Sequence, residues 1–372
     1  VELKGGEADV IRRYRARRVA GRSSVVSLEP LEYVAAEWER AASCYPQAEV
    51  FHSPQWLAFL AAAQGAEPVL AAVRADGAPV GHFVGAVVRR YGMRILGSPM
   101  PGWNTQHMGF LLERDVAPQL LADALRRLAF ADLGCVHVEL SQRDLTAGQL
   151  AGSGYTTEDG GTYLVDLSVA EEAVLARMAG RTRTYVRRAG RNGLTVEVAT
   201  GLDFADDYHA QLTEVFARQG LAPTYGVERV RHLIRTVGRS DQLLLLRVRG
   251  PDGACVATGV SVGRNGIAVN WGTANAQAAS ALHPNELLWW ETMRTWRERG
   301  ATCYDMGGRG DYKAKYGGVF TDTVRFHRSR LPVLAHGRAV VERLARARQV
   351  VGARRGGGRS SAPSQAAPRR AG

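Results

Sequence analysis

Lysine is almost missing from this chain: of its 48 basic residues only Lys4, Lys313 and Lys315 are lysines, so two of the three stand almost side by side. Long apolar runs are missing as well. No stretch of 18 apolar residues occurs, and the arginine-bearing N-terminus has no apolar segment behind it. Neither a spanning helix nor a secretory signal is therefore predicted, and a cytoplasmic setting is expected. Cysteine is sparse. Cys44, Cys135, Cys255 and Cys303 stand singly, without C-x-x-C spacing or the density of a disulfide scaffold, which predicts core thiols in a reducing compartment. The nine histidines are dispersed, with no H-x-x-x-H pair, so no metal site is expected. No Ser-centred G-x-S-x-G elbow and no G-x-x-x-x-G-K phosphate loop is expected, so hydrolase and nucleoside-triphosphatase chemistry fall away.

What is present is ample core material. Hydrophobic residues make up 45% and charged residues 23% of 372 residues, enough for two domains of roughly 150 residues with terminal extensions. The net charge of +12 is unevenly spread, because Arg328 to Gly372 holds eleven arginines against one acid, Glu342. The chain divides on this basis into a basic extension over 1–30, a first domain over 31–165, and a second over 166–335. A possible amphipathic helix over 336–351 and a disordered basic tail over 352–372 follow. Such arms suit non-specific contact with RNA or anionic lipid, or simple solubility.

The organising signal is a repeat. LAAVRADGAPVGHFVGAVVRRYGMRILGSPM from Leu70 and LLRVRGPDGACVATGVSVGRNGIAVNWGTAN from Leu245 each read as three apolar strands joined by an Asp-Gly turn and a second polar turn, Tyr91-Gly92 or Asn265-Gly266, an antiparallel meander. Each is followed by an irregular loop and then a helix, over 116–131 or 285–299, ending at Gly134 or Gly300. Each helix feeds a strand with an acid five residues past the glycine, Glu139 or Asp305. Helices are also expected at 54–64, near 171–192 and at 204–219, the last with Leu212, Val215 and Phe216 facing inward. The predicted fold class is α+β: tandem duplicated domains with mixed, mostly antiparallel sheets flanked by helices.

The densest polar cluster runs from Tyr304 to Gly318, leaving an apolar strand through Gly307, Gly308 and Gly310 toward Lys313 and Lys315. Glycines there let backbone approach a ligand and offer N–H groups to an anion. Lys313 and Lys315 share a face if the segment is extended and diverge if it is a helical turn. Asp305 either orients a lysine or accepts the N–H groups of the glycine loop. Arg183 and Arg187, four apart, share a helical face and suit a phosphate. Trp103 and His107 in one loop, and Tyr225 in another, are placed to line a cleft between the domains. His283, beside Pro284, reads as helix capping structure.

These segments, with HSPQWLAFL (His52–Leu60), RTRTYVRRAGRNGLTVEV (Arg181–Val198), RQG (Arg218–Gly220) before Pro223 and Tyr225, HPNELLWWETMRTWRERGATCYDMGG (His283–Gly308) and DYKAKYGG (Asp311–Gly318), resemble the FemAB-like branch of the Gcn5-related N-acyltransferase superfamily over about residues 45–330. The resemblance implies two acyltransferase-like domains around a cleft for an amine acceptor and an activated carboxyl donor, aminoacyl-tRNA or acyl-CoA, with no permanently bound cofactor. The family's F-K-x-x-F-G lysine falls on Lys313, with Tyr312 and Tyr316 in place of the phenylalanines, and Arg309 stands in the same loop. The acceptor-phosphate arginine falls on Arg183 or Arg187. Two departures stand out. Trp56 is followed by Leu57-Ala58-Phe59-Leu60 rather than by the lysine that often holds a diphosphate, and no helical-hairpin arm fits between Gln219 and Tyr225.

The expected reaction is amide formation in cell-envelope or peptide natural-product biosynthesis. Lys313 and the N–H groups of Gly307 to Gly310 would counter charge on the donor. Asp305 would position the lysine or relay the amine proton, unless a ribose hydroxyl of the donor does so. Expected partners are tRNA, an amine-bearing peptide, amino acid or glycan, and a membrane surface touched by the tail, for a monomer or weak dimer. A coenzyme A-dependent acyltransferase and a non-catalytic glycan or peptide binding module are the alternatives.

Overall fold

A computed structural model describes residues 25–331. Most of the 1–30 extension and the whole of 336–351 and 352–372 lie outside the described residues. Residues 26–31 belong not to an arm but to the first strand, β1 (Val26–Leu31).

The first half continues with helices α1 (Ala35–Ser43) and α2 (Pro54–Gln64), strands β2 (Glu67–Ala75), β3 (Ala78–Arg90), β4 (Met93–Ser98) and β5 (Gly109–Leu112), helix α3 (Pro118–Arg127) and strand β6 (His137–Ser141). Strand β7 (Thr156–Asp166) leads into α4 (Glu171–Arg177), α5 (Gly180–Arg191), β8 (Thr195–Ala199), α6 (Phe204–Ala217) and α7 (Val227–Val237). The second meander is β9 (Leu243–Arg249), β10 (Cys255–Arg264) and β11 (Ile267–Asn275), followed by α8 (Pro284–Glu298), β12 (Cys303–Asp305) and β13 (Val319–Ser329).

Local chemistry explains most of these boundaries. Helix α2 starts because the Ser53 side chain accepts the Trp56 N–H with Pro54 at the first turn, and it stops at Gly65, whose φ is 62°. The β2–β3, β3–β4 and β10–β11 hairpins turn on Asp76-Gly77, Tyr91-Gly92 and Asn265-Gly266, where both residues have positive φ. Such two-residue turns match the twist of the strands they join. The helix expected over 116–131 is shorter: α3 gives way to one π turn at Leu128–Asp132. Residues 171–192 form two helices, and Val215 and Phe216 on α6 are only partly buried beside buried Leu212.

Among the described residues all thirteen strands belong to one sheet, ordered β1-β2-β3-β4-β6-β13-β7-β12-β11-β10-β9-β8, with β5 beside β3. The separate sheets expected from the repeat are thus joined. The joint is an exchange of strands: β7, which follows β6 in sequence, pairs with β12, while β13, which follows β12, pairs with both β6 and β7. Within each half one parallel pair interrupts the antiparallel pattern, β4 with β6 and β11 with β12. Three apolar cores result. One lies under α3, one under α4, α5 and α8, and a third joins Trp56 and Phe59 of α2 to Tyr208 of α6 and Leu233 of α7 across the two halves. Buried Cys135 and Cys303 fit the expected core thiols and Cys255 is half-buried, but Cys44 is exposed. Among the described residues no helix is long and apolar enough to cross a membrane.

Candidate active site

Strands β11 and β12 pair only over Ile267–Val269 and Cys303–Asp305, after which β11 continues with β10 alone as far as Asn275. The chain leaving β12 turns away through Gly307 and Gly308, whose φ values are 70° and 68°. A slot opens between the diverging backbones, and the β11 edge from Asn270 onward has no strand partner on that side.

Asp305 anchors this turn. Its carboxylate accepts from the Thr162 hydroxyl, from Gly307 N–H at 2.9 Å and from Arg143 Nη1 at 3.1 Å. The turn in turn holds Lys313, which lies on a 3-10 turn, Asp311–Tyr316, with its Nζ donating to Gly307 O and, at 2.9 Å, to Gly308 O. Lys313 is 4% exposed. Burial lowers its pKa from the ordinary lysine range, an effect opposed by the Asp305 charge. Asp305 therefore reaches Lys313 through the glycine turn and not by a direct bond. The helical alternative for this segment holds, and the lysines diverge: Lys315 pairs with Glu286 at 2.9 Å. Tyr316 is buried against Trp289, whereas Tyr312 is exposed. Gly310 precedes the 3-10 turn, and Arg309 donates to Gly160 O at 3.0 Å and lies over the Phe320 ring.

At the equivalent place in the first half, where β4 ends still paired with β6, stands the loop over residues 99–108. Met100 lies against Gly97, and Met108 N–H bonds Ser141 O at 2.9 Å across the end of β6. That loop reaches the second half. Trp103 is buried, Thr105 accepts from Trp56 Nε1 at 3.1 Å, and Asn104 stands near the Tyr225 hydroxyl. Gln106 Nε2 lies 3.2 Å from where a Cβ on Gly307 would stand. Tyr225 shares a 2.9 Å hydrogen bond with Tyr208 and packs on Trp271 of β11, while the Tyr208 hydroxyl fills the space beside Gly272. Next to Gln106, His107 is buried with neither ring nitrogen hydrogen-bonded.

Between β7, β13 and the glycine turn lies a cleft of ≈ 280 Å³ lined by Gln106, His107, Glu158, Asp159, Arg309 and Arg325, with Gly308 on its wall. The structure thus gathers Asp305, Lys313, Gly307, Gly308, Arg309, Gln106 and His107 around one turn, with Trp103 and Tyr225 on the neighbouring loop contacts. Arg183 and Arg187 are not in this group. They sit on α5, which packs on α8, and Arg183 donates to Ala176 O at 2.9 Å and to Met178 O, closing the end of α4. His283 does precede α8 as its capping residue, but its ring stacks on Tyr185 at 3.8 Å instead of capping.

Sequence reasoning passed over Arg143, Thr162, Glu158, Asp159 and Arg325. Arg143 binds Glu49 through Nε and Nη2 at 2.7 and 3.0 Å as well as Asp305. Burial disfavours its charge, but the two carboxylates outweigh that and hold its pKa well above the ordinary value. A signal existed: Arg143 stands four residues past Glu139, as Arg309 stands four past Asp305. Buried Glu139 in turn meets His137 at 3.2 Å and Arg325 at 3.6 Å, so acid–arginine pairs cross between the halves in both directions. The letters Gly-x-Ser-x-Gly do occur, at Gly259 to Gly263, but mid-strand in β10, with the Ser261 hydroxyl accepting from Trp296 Nε1 at 2.7 Å. Among the described residues no three or more His, Cys, Asp or Glu side chains gather as metal ligands would.

A family model described as "Acetyltransferase (GNAT) domain" matches residues 176–316, from the end of α4 to the 3-10 turn that carries Lys313. Among solved structures, FemX superposes with a TM-score of 0.63 at 12% identity, over 80% of this chain and 96% of that one. A conserved protein of unknown function from Bacteroides thetaiotaomicron gives 0.51 at 11% identity, over 81% and 98%. A tandem GNAT protein from the clavulanic acid biosynthesis pathway gives 0.50 at 14%, over 82% and 99%. No curated protein matches the chain by sequence. Residues 176–316 thus match a GNAT acetyltransferase domain, in a chain whose fold is shared with FemX.

Proposed function

We propose that this protein is an N-acyltransferase that moves an acyl or aminoacyl group from an activated carboxyl donor to the amine of a peptide, amino acid or glycan. The observation that carries this reading is Lys313. It is a buried cation at the mouth of the β11–β12 slot, with two of its three N–H groups spent on Gly307 O and Gly308 O and one left for a donor oxygen. When an amine attacks a carbonyl, negative charge develops on that oxygen, and a fixed positive group there lowers the barrier. The unpartnered β11 edge offers backbone groups along which an extended donor would lie. In this reading each half is one acyltransferase-like unit, and the second carries the working groups.

Aminoacyl-tRNA is the donor we favour, on the strength of the FemX-like fold. A coenzyme A thioester is the second reading, supported by the acetyltransferase description of the matching family. Partners on this account are tRNA, the acceptor and, through the basic tail, an anionic membrane surface, for a cytoplasmic monomer or weak dimer. Amine acceptors presented with each donor, with and without ribonuclease, separate the readings by mass spectrometry. Amide formation that ribonuclease abolishes supports tRNA, and formation from a thioester that survives ribonuclease overturns it.

A further inference from the structure

The polar cleft beside the glycine turn contains a group that the fold itself does not satisfy. His107 is 3% exposed, and both of its ring nitrogens are buried without a hydrogen-bond partner. A neutral imidazole carries one N–H donor and one bare acceptor, and leaving both unmade destabilises the folded chain. Such an orphan asks for a partner from outside the protein. Burial, then the charges of Arg143 and Arg325 and the nearby His52, push the ring's pKa well below 6.5, so it is neutral at neutral pH.

The rest of the cleft says what that partner is. Glu158 and exposed Asp159 stand on one stretch of its wall, and Arg309 and Arg325 on others. Glu158 faces His327 at 3.6 Å, while Arg325 donates to Pro99 O at 2.7 Å. Carboxylates attract an ammonium and guanidiniums attract an anionic end. Gly308 lines the same cleft and accepts a bond from Lys313, which joins this space to the proposed donor slot.

Resting on the acyl-transfer reading above, we propose that this cleft receives the acceptor as a small primary amine bearing a carboxylate, an amino acid or peptide end, and that His107 contacts the attacking nitrogen and takes its proton. The acceptor first gives up its ammonium proton to solvent; the free amine's lone pair then forms the N–C bond, and the carbonyl pair moves to the oxygen facing Lys313. Collapse restores C=O and expels the thiolate or ribose oxygen with its bonding pair. The N–H proton passes to the bare ring nitrogen of His107 and then to the leaving group, returning the ring to its neutral form. A weakly basic imidazole suits this step, because nitrogen in the tetrahedral adduct is far more acidic than a free ammonium, and the ring must then release the proton.

The test uses the full chain with ¹⁵N-labelled histidine rings and a probe series of glycine, β-alanine, 4-aminobutyrate and 6-aminohexanoate, against n-butylamine and butyrate. At least one amino acid should shift the His107 ring resonances, identified by their loss in His107→Gln, and should do so at lower concentration than either single-function probe. Asp159→Asn, at an exposed position, should weaken that binding. With whichever donor supports transfer, His107→Gln should lower kcat by roughly 10²- to 10⁴-fold, leave the KM for the amine little changed, and leave the acid limb of the pH profile to the acceptor amine's own titration alone. If no probe moves the His107 resonances, the cleft assignment is overturned. An unaltered rate and acid limb in His107→Gln overturn the proton role. Probe binding in a protein that transfers from neither donor supports the binding site while refuting acyl transfer, so the two failures are distinguishable.

Discussion

Arg143→Met is the most informative perturbation of the framework, because one guanidinium satisfies two buried carboxylates from different halves of the chain. The side chains of Glu49 and Asp305 are 4% and 0% exposed, and their arginine partner is 17% exposed. Removing the arginine leaves two uncompensated charges where water cannot reach them, for which truncation of a buried pair typically costs about 3–5 kcal/mol. An exposed pair would cost at most about 1 kcal/mol. Urea unfolding of wild type and variant measures the difference, and the triple change Glu49→Gln, Arg143→Met, Asp305→Asn should recover most of it, since neutral partners no longer need the cation. A loss below about 1 kcal/mol in the single variant would refute the view that this network is desolvated and shared between the halves.

Two further outcomes follow from local geometry. His52 is buried and its pKa is lowered to about 4, chiefly by burial. The unfolded ring binds a proton near 6.5, so this group's contribution is intact above 6.5 and falls away by about 3 kcal/mol as the pH drops toward 4. His52→Asn, whose Oδ1 stands where Nδ1 accepts from Glu49 N–H at 3.0 Å, should flatten that part of the stability–pH curve; an unchanged slope contradicts the assignment. Gly272→Ala puts a methyl group where the Tyr208 hydroxyl lies and breaks its bond to Tyr225, at a cost of about 1–3 kcal/mol by thermal unfolding. The double variant with Tyr208→Phe should be milder, and a Gly272→Ala protein as stable as wild type would show that the contact is loose.

Features that depend on near neighbours in the chain were legible in the sequence. The Asp-Gly and Asn-Gly turns, the Ser53-Pro54 start of α2 and the glycine that ends it are each fixed by backbone preferences of one or two residues. The placement of Lys313 near Gly307 was legible for the same reason, since they stand six positions apart. The exchange of β7 and β13 was not, because either strand's alternating pattern is equally at home beside β6 or β12. Arg143 was hidden for a related reason: its partner Asp305 is 162 residues away, and a lone arginine after a strand reads as solvated until the fold is known. Helical spacing puts Arg183 and Arg187 on one face, but the partners of Arg183 were not legible: they are carbonyl groups at the end of α4.

The central claim, that acyl transfer takes place at the glycine turn around Lys313, is tested most directly by comparing wild type with Lys313→Met in amide formation from aminoacyl-tRNA and from acyl-CoA, read by mass and with folding matched by circular dichroism. Loss of a fixed positive donor to the developing oxyanion predicts a kcat lower by roughly 10²- to 10³-fold with the amide product unchanged in identity. Equal turnover in the folded variant, or no amide from wild type with either donor across peptide, amino acid and glycan amines, would contradict it.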